Sequence, residues 1–261
     1  MSTRFGPYHP EQSYLLPPSP SDWLAEGHLA YFIAEMVDTL EVDGFYAEYE
    51  GNGRRNSPYD SRMLLKVLVY AHASGVFSSR KIARKLEEDV AFRVLGAGNF
   101  PDHRTVNRLR QEHWEEFAGI FGQVVKLARE MKLMRMGTLA IDGSKVRANA
   151  SKRKGMSYGR MLAEKKITAY VALGREGQRG KDILPSTKHT HTQAMQERMR
   201  SAEGQHWYGQ RKWLAEPRFG WIKHVLGFRR FSLRGHQKVK AEWQLVCAAL
   251  NLKRMAVLST S

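Results

Sequence analysis

A chain of 261 residues with 42% apolar residues can bury one large core or two modest ones. Its net charge of +16 and pI of about 10.0 strongly favour an anionic partner, with nucleic acid as the first expectation. No apolar run reaches transmembrane length, no basic helix reads as a membrane anchor, and the lone Cys247 excludes an internal disulfide. The start Met-Ser-Thr-Arg-Phe-Gly-Pro lacks the apolar core of a signal peptide, so the expectation is a cytoplasmic, nucleoid-associated protein without membrane contact.

Residues 1–21 are proline-rich and read as an extended arm. Leu29, Ile33, Met36 and Leu40 recur at helical spacing, and the glycine- and charge-rich stretch 44–57 reads as a loop. Asp60 is placed to cap a helix with the stripe Leu64, Val67, Leu68 and Ala71, and Gly75 stops it. A short basic helix, Arg80–Leu86, starts at Ser78 or Ser79, giving the region helix-turn-helix character. A further short helix follows Asp89 and ends at Gly96-Ala97-Gly98.

Asp102 then caps the longest periodic run, Val106, Leu109, His113 or Trp114, Phe117, Phe121, Val124, Ala128 and Met131, which reads as one amphipathic helix. Its polar side carries His103, Arg104, Asn107, Arg108 and Arg110. Of these, Arg104 and Arg108 are the candidate DNA contacts, although a solvated helix face accounts for any one of them singly.

Strand patterns come only after Gly137, at 138–142, 145–148 and 167–173. The first ends on Asp142, followed by a basic strip with Lys145 and Arg147. A carboxylate there suits a hard cation held against phosphate, and Asp-Gly also suits a plain hairpin turn. The polar stretch from Gly174 to about Gln205 reads as a connection, with His189 and His191 solvated.

A helix over about 207–223 would bring Lys212, Glu216 and Lys223 towards one side, with Tyr208 a turn earlier and Arg211 alongside; an ordinary Lys–Glu surface pair fits the same spacing. Pro217 should kink it. A basic turn with Arg229 and Arg230 follows, and the last helix carries Val239, Trp243, Val246 and Leu250 on one face. The domains expected are 1–135, helical, self-sufficient and DNA-binding, and 136–261.

The stretch Ile141-Asp142-Gly-Ser-Lys-Val-Arg-Ala-Asn-Ala-Ser151 resembles the first-aspartate strand of bacterial insertion-sequence DDE transposases. Tyr208, Arg211, Glu216-Pro-Arg-Phe-Gly-Trp-Ile-Lys223 and Gly227-Phe-Arg-Arg-Phe231 resemble their Tyr-Arg-Glu-Lys signature, and Phe100–Val106 with the helices before it resembles their helical N-terminal domain. The fold class implied is α+β, mostly α: a helical N-terminal domain followed by a truncated RNase H-like α/β core. The resemblance makes Asp142 and Glu216 the catalytic and metal residues, for Mg²⁺ or Mn²⁺. Lys145, Arg147, Tyr208, Arg211, Lys212, Lys223, Arg229 and Arg230 would hold the DNA strand. The substrate implied is the element's terminal inverted repeats, bound by a homo-oligomer.

One departure stands out. The family's second catalytic aspartate has no counterpart, since Asp182, the one Asp between Asp142 and Glu216, follows no strand. The step from Met161 to Leu162 looks like a deletion joint, so the chain resembles an internally shortened transposase with weak or absent strand cutting. The alternative is a non-catalytic DNA-binding protein, including an inhibitor of a full-length transposase. A generic RNA-binding protein is disfavoured, because the basic residues fall into ordered motifs.

Overall fold

The computed structural model describes residues 19–47, 59–133, 190–214 and 216–259. The expected strands, with Asp142, Lys145 and Arg147, lie outside these residues, as do Asp182, His189 and most of the N-terminal arm. In chain order the helices are α1 (Leu29–Asp38), α2 (Ser61–Ala73), α3 (Ser79–Glu88), α4 (Val90–Gly96), α5 (His103–Glu112), α6 (Trp114–Glu130), α7 (Thr190–Arg200), α8 (Ala202–Leu214), α9 (Glu216–Gly220) and α10 (His236–Ser259). The described residues are thus mostly helical and include no strand element. They fall into two compact units, residues 1–133 with 241–261, and residues 134–240.

In the first unit, short polar side chains set the helix starts. Asp60 Oδ1 accepts from the Met63 N–H at 2.7 Å, Asp89 Oδ1 from Ala91 at 3.1 Å and Asp102 Oδ1 from Thr105 at 2.8 Å. Left-handed residues set the stops: Gly75 (φ +80°) after α2, and Ala97 (φ +47°) with Gly98 (φ +75°) after α4. Helix α2 lies at the centre, with α1, α3, α4 and α5 packed on it. Its buried surface is far wider than the expected stripe, taking in Met63, Leu65, Val69, Tyr70 and Ala73 as well. Each such aliphatic side chain contributes about 1.5–3 kcal/mol when fully buried.

The loop expected over 44–57 begins instead with a 3₁₀ turn, Asp43–Phe45, which drives Phe45 into the core. The Phe45 ring meets Phe117 at 5.5 Å and His113 at 5.2 Å, and its carbonyl accepts from Ser61 Oγ at 3.0 Å.

The long periodic run is two helices, not one. The backbone breaks at His113 (φ −98°, ψ 41°), whose ring is buried. The spacing Leu109, His113, Phe117 stays four across the break, so periodicity alone reads straight through it. After the break the buried set is Phe117, Ile120, Val124 and Ala128, with Ile120 where Phe121 was expected.

Residues 241–259 of α10 complete this unit. Ala241, Leu245, Val246, Ala248, Ala249, Leu252 and Met255 are buried, and Lys253 Nζ donates to the Ala73 carbonyl at 3.0 Å. Residues 1–133 therefore do not close the core by themselves. Cys247, half-buried on α10, has its thiol pushed up to about 12 by burial, which makes it a poor nucleophile.

In the second unit α7 packs on α8 at Gly204, where any Cβ would collide with the Arg198 carbonyl. Within the helix expected over 207–223, α8 runs to Leu214 and α9 covers Glu216–Gly220, with residue 215 between them outside the described residues. A π-helical turn, Trp221–Val225, follows. Ile222, Leu226, Phe228 and Leu233 are buried, and the Phe228 N–H donates to the Ile222 carbonyl at 3.0 Å.

Candidate nucleic-acid interface

In the first unit one group of basic residues sits on α3 and α5, which pack against each other. Ile82 and Leu86 turn α3 inward, leaving Arg80, Lys81 and Arg84 exposed. Val106 and Leu109 do the same for α5, leaving Arg104 and Arg108 exposed one turn apart. The ion pairs Arg84–Glu88 at 4.0 Å and Arg108–Glu112 at 3.7 Å are solvent-exposed and weak, so they leave these guanidiniums available to an anion. At the start of α5 the Thr105 backbone N–H holds the Asp102 carboxyl below its usual pKa. Phe100, 48% exposed in the preceding turn, has the Arg93 guanidinium 6.0 Å from its ring centre.

Arg110 does not join this surface, contrary to the helical reading of the run. It is 2% exposed, its Nη2 donates to Glu242 Oε1 at 2.7 Å, and its Nη1 donates to the Phe77 carbonyl at 3.1 Å. Burial lowers the Arg110 pKa and Glu242 opposes that shift. His72 lies nearby, with Nδ1 2.7 Å from the Leu68 carbonyl and its ring edge-on to Phe77 at 5.3 Å. Burial first, and the Arg110 charge second, lower its pKa to about 3, so His72 is neutral at pH 7. Glu242 went unmarked in the sequence because a charged residue among apolar ones reads as solvent-facing, and its partner is 132 residues away.

In the second unit Tyr208 is half-buried on α8, Arg211 and Lys212 follow in the same helix, and Glu216 opens α9. Lys223 is half-buried in the π-turn, and its carbonyl accepts from Arg229 Nε at 3.3 Å. Gly227 (φ +77°) turns the chain out, and Arg229 and Arg230 emerge exposed. Arg230, Phe231, Ser232, Leu233 and Arg234 line a shallow basin of about 300 Å³. Arg234 is the basic residue that motif reading passed over. Among the described residues no three His, Cys, Asp or Glu gather as a metal site, and no helix is long and apolar enough to cross a membrane.

Residues 174–256 match a family model described as a Transposase DDE domain, and residues 18–112 match a second described as a Transposase domain. No curated protein and no solved structure matches the chain. With both ends of the chain matching transposase models in order, the chain belongs to the insertion-sequence DDE transposases.

Proposed function

We propose that the protein is an insertion-sequence transposase whose helical unit binds double-stranded DNA at the element's terminal inverted repeats, as a homo-oligomer. The observation that carries this reading is the packing of α3 on α5, which sets Arg80, Lys81, Arg84, Arg104 and Arg108 on neighbouring exposed helices. A reading helix contacts base edges with its N-terminal residues while its neighbours contact the backbone. Arg104 and Arg108 have that position on α5, and the α2, Gly75 and α3 segment supplies the helix-turn-helix character. DNA binding of this kind keeps the protein on the nucleoid in the cytoplasm.

Residues 136–261, whose last helix also completes the core of the first unit, are read as a shortened RNase H-like α/β core joined between Met161 and Leu162. Asp142 and Glu216 are its catalytic and metal candidates. Lys145, Arg147, Tyr208, Arg211, Lys212, Lys223, Arg229 and Arg230 are its strand-holding groups. A bound Mg²⁺ or Mn²⁺ supplies electrophilic activation of a phosphodiester. Two carboxylates fall short of the oxygen donors that a pair of such ions takes, so the proposed set does not fit a complete centre and no step is assigned to an ion. The missing second aspartate also favours a second reading, a non-catalytic protein that competes with a full-length relative for the same ends.

The purified protein should retard a duplex made from the DNA that flanks its coding frame. Arg104→Glu with Arg108→Glu should weaken that binding by about ten-fold or more, equivalent to about 1.4 kcal/mol. Arg254→Glu, at an exposed residue on α10, should not. Equal effects from both would remove α5 as the reading helix. With Mn²⁺ the same DNA should stay uncut. Cutting that Asp142→Asn abolished would restore an active enzyme, with Asp182 or Glu176 as the further ligand.

A further inference from the structure

The C-terminal helix lends the first unit more than apolar surface. Arg110 lies on α5 with Arg104 and Arg108, but it points inward and is 2% exposed. Its guanidinium fork spans two partners: the Phe77 carbonyl at 3.1 Å, just ahead of basic helix α3, and the Glu242 carboxylate at 2.7 Å, on α10. Glu242 is itself 2% exposed and therefore has no solvent to stand in for Arg110. One planar group thus fixes α5 against the entrance of α3 and against the C-terminal segment.

We infer that Glu242 is a positioning residue for DNA recognition. It holds Arg110, and through it sets the register of α5 against α3, so that Arg104 and Arg108 meet the duplex together with Arg80, Lys81 and Arg84. This rests on the reading of α3 and α5 as the DNA-binding surface. An apolar contact would hold the helices together without fixing their register. A fully buried guanidinium hydrogen-bonded to groups on two different elements defines both the distance and the rotation of the helix that carries it. The C-terminal segment, which a motif reading assigns to catalysis alone, thereby acts on DNA binding in the first unit.

The test is a double-mutant cycle on the full chain, read by fluorescence anisotropy with a labelled duplex from the flanking DNA at several salt concentrations. Glu242→Gln keeps the shape and removes the charge. It should weaken binding about ten-fold and lower the slope of log K against log salt by about one to two phosphate contacts at ~0.9 each. In the Arg104→Ala, Arg108→Ala background the same change should add little, because it acts through those residues. A merely structural role would lower the melting temperature while leaving the folded protein's affinity and salt slope unchanged, and that result overturns the inference. If Glu242→Gln fails to fold, the apolar pair Arg110→Met with Glu242→Leu replaces it, since such swaps of buried ion pairs commonly preserve folding. Reduced affinity and slope in that folded variant support the inference, and wild-type values overturn it. If Arg104→Ala with Arg108→Ala leaves binding unchanged, the DNA-reading surface itself is wrong. If that pair weakens binding and Glu242→Gln does not, only the positioning role falls.

Discussion

The unit built from residues 1–133 and 241–261 and the unit built from residues 134–240 differ in what their described residues hide. The first encloses a central helix buried on most sides, a fully buried ion pair and a neutral buried histidine. In the second, the buried apolar residues among those described are Ile222, Leu226, Phe228 and Leu233, beside exposed Arg229 and Arg230. The match to the transposase DDE domain model, residues 174–256, takes in residues of both units.

The strongest way to break this comparison is to end the chain at Lys240. That removes Leu245, Val246, Leu252 and Met255 from the first core, on the order of 8 kcal/mol at about 2 per side chain. It also strands the Arg110 charge, a loss of about 3–5 kcal/mol for a broken buried pair. Against a usual margin of about 5–15 kcal/mol, amide-exchange protection in α2 should collapse. Protection equal to that of the full chain would mean that residues 1–133 suffice.

Acid sharpens the contrast through one buried group of the first unit. His72 in the folded chain has its pKa lowered from 6.5 to about 3, so below pH 6.5 the unfolded chain binds a proton that the folded chain refuses. Stability should fall with pH between about 6.5 and 3, by about 1.4 kcal/mol per unit, or about 2 kcal/mol between pH 6.5 and 5. Thermal melts of the wild type and of His72→Gln should show the variant to be less acid-sensitive over that range. Equal slopes would place the acid response elsewhere.

The smallest effect belongs to the second unit. Gly204→Ala gains helix propensity but forces a Cβ against the Arg198 carbonyl, for a net loss of about 1 kcal/mol. Amide exchange should quicken in α7 and α8 and stay unchanged in α2. A change in α2 as well would show that the two units unfold as one.

Caps, glycine stops and apolar periods made the first unit legible, as Asp60, Asp89, Asp102, Gly75 and Gly98 show. Three features of it were not legible. The break at His113 preserves the four-residue spacing, so no periodicity marks it. Phe45 sits in a glycine-rich stretch whose composition argues for a loop. Helix α10 is apolar around much of its circumference, so its buried face had no readable phase: Trp243 and Leu250 were expected there, and Leu245, Ala249 and Leu252 are buried more deeply. The family was legible in the motif residues, and the two family matches uphold that resemblance. The pairing of Arg110 with Glu242 is a tertiary fact that no local pattern encodes.

The salt dependence of duplex binding by the full chain tests the central claim, that the basic helical unit is a DNA-binding surface, most directly. Neutralising phosphates releases condensed counterions, so log K should fall by about 0.9 per contact as log salt rises. With Arg80, Lys81, Arg84, Arg104 and Arg108 engaged, the slope should be about −4 or steeper, and Arg104→Ala with Arg108→Ala should flatten it by about two contacts. A slope near zero, or one unchanged by those substitutions, would contradict the account.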